Sequence, residues 1–236
     1  MARRPGPELP YAVVAGVTPW GRKWVTASAK VSGSNFAPEP PHLYSSFVEV
    51  LDERPSFSVI VINAPIGYVE RPGAGRRACD HEARVLLGAR GMTIHNAPTR
   101  TTLAGETHWT EDHLDAVTAM MLPSYKEVAA EMFPYRQRTV YEGQPELSFF
   151  QLNSDSPLLR SKRVESGRDE RRAALVHRVP GIEKILNAEL EGTPKKHLYD
   201  AAALLWSARR VFGHAAKRIP EDAQWDSEGL RMEIVY

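Results

Sequence analysis

Residues Phe57 to Ile62 read Phe-Ser-Val-Ile-Val-Ile and stop at Asn63-Ala64-Pro65. This is the strongest strand signal in the chain. Pro65 has no N–H to give a ladder, so pairing must end about there. A second apolar run, Tyr11 to Val17, is nearly continuous and breaks at Thr18-Pro19. A short run bounded by a breaker suits a strand covered on both faces. Trp24 to Val31 alternates bulky with small or polar residues, and Gly21-Arg22 lies between the two runs, so an antiparallel hairpin is predicted.

The remaining elements are weaker. Leu43 to Leu51 is predicted as a short helix with Leu43, Phe47, Val50 and Leu51 inward. Arg77–Leu87, Arg168–Val176, Gly181–Leu190 and the Ala- and Leu-rich His197–Phe212 carry helical patterns. Leu114–Met132 does too, with a break or kink expected at Pro123. Thr139–Glu142 and Arg231–Val235 are predicted as short strands, while 32–41, 91–106 and 155–163 read as loops. Together these give one α/β domain over residues 11–236, with a mixed sheet flanked by helices and helical insertions. Residues 1–10, with three prolines, read as a disordered lead.

The 30 Lys and Arg against 29 Asp and Glu leave a net charge of +1, so any anion site must come from a local cluster. One cysteine, Cys79, excludes an intrachain disulfide and a Cys-rich zinc site, and its bland role is a buried structural thiol. No secretory h-region and no run of roughly 18 apolar residues is present. A cytoplasmic, non-membrane protein is expected.

Ligands of open α/β sheets gather at strand ends. Four places therefore invite a site: Thr18 and Asn63 past the two buried strands, Glu142 with Glu146 after the Thr-Val-Tyr strand, and Asp200 near the start of the Ala-rich helix. Each has a plainer reading. Thr18 and Asn63 can be turn residues, and Glu142 and Glu146 solvated loop acids. Asp200 can simply favour the positive end of its helix. Ala201, Ala202 and Ala203 beside it suit close packing on a sheet, where a carboxylate needs a partner or a metal. Residues 160–172 carry six basic against three acidic side chains. They could contact phosphates, but a solvated helix face is the default expectation. Arg76-Arg77 and Lys195-Lys196 would extend such a surface if they lay nearby.

Read in order, the chain carries Gly16-Val17-Thr18 with Gly21 and Trp24, then Ile62-Asn63-Ala64-Pro65-Ile66-Gly67, Arg77, Cys79-Asp80 and Ala83-Arg84. Pro98-Thr99-Arg100, Val140-Tyr141-Glu142, Pro145-Glu146, Ser161-Lys162, Gly167-Arg168 and Asp200-Ala201 follow, and Gly229-Leu230-Arg231-Met232-Glu233-Ile234 closes the series. This order resembles the domain-of-unknown-function family described as predicted RNase H-like nucleases (domain of unknown function 429). The resemblance implies an RNase H-like mixed sheet, and carboxylates gripping Mg²⁺ or Mn²⁺ for phosphodiester hydrolysis of nucleic acid. Two hard cations held ~3.5–4 Å apart by shared carboxylates would activate water and stabilise the leaving oxygen. It implies Glu142, Glu146 and Asp200 as catalytic residues, with Glu142 and Asp200 as metal ligands. Thr18, Asn63, Arg100 and Lys162 would contact substrate.

The family usually has Asp where this chain has Thr18 and Asn63, and His where it has Gln144. Thr and Asn are neutral oxygen donors that cannot offset a cation's charge. The resemblance therefore implies activity weakened by the loss of two of about four acidic ligands. The alternative is a non-catalytic nucleic-acid- or protein-binding relative without metals. A third reading is an enzyme for a small phosphorylated compound.

Overall fold

The computed structural model describes residues 10–236, so the lead expected over residues 1–10 falls outside it except for Pro10. Strand β1 (Ala12–Trp20) pairs antiparallel with β2 (Lys23–Ser32), as the hairpin signal predicts. β2 carries two short partners, β3 (Asn35–Pro38) and β4 (His42–Tyr44), and helix α1 (Phe47–Asp52) follows. β5 (Val59–Ile62) and β6 (Val140–Glu142) then add on the other side of β1, both parallel to it. The strand order β3-β2-β1-β5-β6 is the RNase H-like arrangement, an antiparallel meander continued by parallel strands.

Period-two alternation assigns the strands' two faces. Val14, Val59 and Val61 point toward helix α8 (Lys195–Phe212), and Ala15, Val17, Ile60 and Ile62 point toward α1 and α4 (Ala116–Glu131). Both faces are buried, which is why β1 and β5 lack polar alternation. Gly16 lets α8 approach closely, because a Cβ there would run into the backbone of Ala201 and Leu205. This contact, with Ala201, Ala202 and Ala203 fully buried, fixes where the middle of α8 crosses β1.

A third layer comprises α2 (Ala78–Leu87), α5 (Pro145–Leu152) and the hairpin β7 (Arg218–Trp225)–β8 (Arg231–Val235). Helices α3 (Arg100–Ala104), α6 (Glu165–Arg178) and α7 (Glu183–Leu186) complete the helical set.

Several expectations need correction. The helix predicted from Leu43 begins only at Phe47, because residues 42–44 pair with β2 and Ser46 caps α1 by accepting from the Glu49 N–H. The loop predicted over 32–41 contains β3, an edge strand, where proline is tolerated. α4 runs on through Pro123, which sits on an exposed face where water can serve the freed carbonyl. α5 and β7 carried no prediction of their own. Six of the eight α5 side chains after Gln144 are apolar or small and nearly all are buried, so the helix has no polar face to betray its period.

Candidate functional site

The carboxyl ends of β1, β5 and β6 lie side by side. Val17 is opposite Ile62, and Ile62 opposite Glu142, so Thr18 and Asn63 stand one step past paired positions. The Asn63 N–H donates to the Val17 carbonyl at 2.8 Å, and its side-chain Nδ2 donates to Thr18 Oγ1 at 3.2 Å. Above this edge opens a cleft of about 420 Å³. Its lining includes Thr18, Asn63, Glu146, Lys162 and Asp200, so five of the seven residues singled out from the sequence share one cavity. Glu142 lies directly behind it, joined to the lining residue Arg77.

Arg100 is not brought to the cleft. It spans Asp226 at 2.5 Å and Glu228 at 2.5 Å, and with its neighbour Thr101 ties the start of α3 to the segment around Glu70. Asp226 in turn accepts from the Leu230 and Glu228 N–H groups and so closes the β7–β8 turn. Arg100 is therefore placed for folding this corner.

Each of the three cleft acids faces its own cation. Glu142 Oε2 accepts from the Arg77 guanidinium and from the Ile66 N–H at 2.7 Å. Glu146 meets Arg171 Nη2 through both oxygens, at 2.9 and 2.7 Å. Asp200 meets Lys162 Nζ through both oxygens, at 2.8 and 2.6 Å, and the same ammonium lies 4.0 Å from Glu146. Four carboxylates thus share these three cations, because Arg77 also lies 3.7 Å from the lining residue Asp80, and the neutral Thr18–Asn63 pair adds no charge.

Burial sets the electrostatics. Glu142 is 2% exposed, and burial lifts its carboxyl to about 7 against the opposing pull of Arg77. Arg77 itself is held firmly charged by Asp80, Cys79 and Glu142 although burial works against it. Burial also pushes the Cys79 thiol far up, which fits the structural role expected for it. His197, in the cleft wall, is lowered to about 4 by burial and by Lys196 and Lys162, so it is neutral at pH 7.

The donor set does not fit a divalent cation. Hard cations want several oxygen ligands with net negative charge. Here every carboxylate already faces a cation, with Asp80 and Glu142 sharing Arg77, and the Lys162 ammonium occupies the space between Asp200 and Glu146. Among the described residues no group of three or more His, Cys, Asp or Glu side chains is placed to hold a metal. The expectation of a solvated face over 160–172 also fails at one residue: Arg171 is fully buried and is the partner of Glu146. Sequence reasoning missed this pairing, because Arg171 and Glu146 are 25 residues apart and on different helices.

The sheet order and the cleft at its carboxyl edge define an α/β domain of RNase H-like type. The family model described as "Protein of unknown function (DUF429)" matches residues 16–224. The chain belongs to that family. A search of curated proteins finds no match. Among solved structures, "Thermus thermophilus RuvC structure" is similar at 15% identity, covering 87% of this chain and 98% of that one, with a TM-score of 0.36. No helix among the described residues is long and apolar enough to cross a membrane.

Proposed function

We propose that this chain binds nucleic acid in the cleft without a divalent cation, as a non-catalytic member of its family. The observation that carries the reading is the pairing of Glu142, Glu146 and Asp200 with the protein's own Arg77, Arg171 and Lys162. A site built to hold metal must keep carboxylate charge free for it. Here the protein's own cations take that charge, and Thr18 and Asn63 add none. Lys162 and Asn63 become contact residues for phosphate and sugar rather than supports of a metal.

The test is oligonucleotide binding by fluorescence anisotropy in EDTA and again in Mn²⁺, beside calorimetric titration of Mn²⁺ alone. Binding in EDTA that weakens with salt supports the reading, since phosphate contacts release counterions. Saturable Mn²⁺ binding that an E142A/D200A double variant loses would instead restore metal-dependent phosphodiester hydrolysis with Glu142 and Asp200 as ligands.

A further inference from the structure

Beyond the three matched pairs, the cleft lining holds cations that no carboxylate claims. Arg90 comes from the turn after α2, Arg163 from the segment before α6, and Lys196 from the first turn of α8. None of the three has an ion-pair partner among the described residues, whereas their neighbours Arg160, Lys162 and Arg171 all do. Five lining cations, Arg77, Arg90, Lys162, Arg163 and Lys196, stand against three lining carboxylates, Asp80, Glu146 and Asp200. The lining therefore carries two positive charges in excess. The pair Glu142–Arg77 does not change the direction of this balance, because counting the buried Glu142 together with the buried Arg171 adds one charge of each sign.

A second observation points to a ligand. Arg77 is 3% exposed, yet its Nε and Nη1 have no hydrogen-bond acceptor. Its Nη2 donates to Glu142, its Nη1 lies 3.7 Å from Asp80 Oδ1, beyond hydrogen-bond reach, and its Nε faces no acceptor at all. Arg90 Nε is buried and unpartnered in the same way. A buried guanidinium N–H left without an acceptor costs about 1–3 kcal/mol. The α8 N-terminus adds to this. Its cap residue is Pro194, which makes no side-chain capping bond, and no acidic side chain stands in its first turn. Its positive dipole end sits beside Lys196 and His197 in the lining, although the His197 N–H itself donates to the Pro194 carbonyl.

Alongside polar residues such as Asn96 and Gln144, the lining offers an apolar patch of Tyr125, Val117 and Met121 from α4, with the exposed Met92 beside it. Such side chains suit a planar ring. A cavity of about 420 Å³ is also of single-ligand size rather than a long open groove.

We propose that the cleft receives one terminal nucleotide carrying a phosphomonoester, with the phosphate held by Arg90, Arg163 and Lys196 above Arg77 and the base laid on Tyr125 and Met121. This rests on the nucleic-acid reading and narrows it from a strand to its phosphorylated end. A phosphomonoester bears about −1.5 to −2 charge at neutral pH and offers three acceptor oxygens. It matches the two excess positive charges of the lining, whereas an internal phosphodiester carries a single charge. The same group occurs on a free nucleoside monophosphate, so strand end and mononucleotide share the chemistry.

Anisotropy in EDTA separates these. The probes are a labelled single-stranded octamer with a phosphate at one end, at the other end, or at neither, with a nucleoside monophosphate and inorganic phosphate as competitors. The phosphorylated octamer should bind at least tenfold tighter than the unphosphorylated one, and both competitors should displace it. An R163A/K196A variant should bring the preference close to one, because both side chains are on the surface side of the cleft. R90A should do the same independently. Each variant's thermal unfolding should match the parent's.

Equal affinity for phosphorylated and unphosphorylated octamers would overturn the end-recognition inference and leave strand binding standing. Binding of the monophosphate with no octamer bound would support the phosphomonoester site and overturn the strand reading. No binding of any probe would overturn both.

Discussion

The cleft has two sides built from the same chemistry and burial separates them. On one side, Glu142 and Arg77 are sealed, with side chains 0% and 2% exposed, and Arg171 beneath Glu146 is fully buried. On the other, Asp200 is buried but its partner Lys162 is 28% exposed. A guanidinium buried against a carboxylate, as Arg77 and Arg171 both are, is a fixed part of the fold. An ammonium on a four-carbon stem at a cleft mouth can swing away with little loss. The sealed pairs hold the cleft's shape, and Lys162 is the paired cation that reaches the cleft mouth.

The largest effect that could break this contrast comes from R171M. It leaves Glu146 charged and unpaired in the interior, and chemical denaturation should register a loss of about 3–5 kcal/mol. A loss below about 1 kcal/mol would put the two sides on the same footing. K162A should cost far less, about 1 kcal/mol, because water can reach Asp200 once the lysine is gone. If it matched R171M, the mouth of the cleft would be as rigid as its base. The variant that sharpens the contrast further is T18D/N63D/K162A. It replaces two neutral donors by carboxylates and removes the resident ammonium, and calorimetry should then show saturable Mn²⁺ binding that the parent lacks.

The pH profile probes the sealed side alone. The Glu142 carboxyl is raised in the fold, to about 7, above its unfolded value of 4.5. The folded state therefore binds the proton more tightly than the unfolded state. This group's contribution is fully present below pH 4.5 and is lost as pH rises through about 7. The unfolding free energy of the parent minus that of E142Q should accordingly fall between those limits, measured by denaturant titration at several pH values. A flat difference would mean that Arg77 fully compensates the burial. The smallest effect is expected at the exposed Lys217–Asp155 pair, where K217A should change stability by no more than about 1 kcal/mol.

Much of the sheet was legible because its strands are marked by composition at both ends. The Phe57–Ile62 run with Pro65, and Tyr11–Val17 with Pro19, announce buried strands and their stopping points without reference to anything distant. The short pieces β3 and β4 were not legible. Three or four residues carry too little pattern, and they are strands only because β2 offers them an edge. Thr18, Asn63, Glu142, Glu146 and Asp200 were selected from strand ends and helix starts, and these four stretches of chain do meet, with Glu142 behind the cleft and the other four in its lining. Arg77 and Arg171 entered as candidates only as members of basic clusters and Arg90 not at all, since nothing in their neighbourhoods sets them apart from solvated arginines.

The sequence by itself determined which acids are present, that two positions near them are neutral, and that alanines and Gly16 allow α8 to lie close on the sheet. Those are properties of residue type and of periods of two and 3.6, and both are local. Only the tertiary structure decided that each acid has a cation of its own and that Arg90, Arg163 and Lys196 have none. Charge pairing depends on distances across the fold between residues as far apart as Arg77 and Glu142, and on how much water remains around them. A sequence records neither quantity.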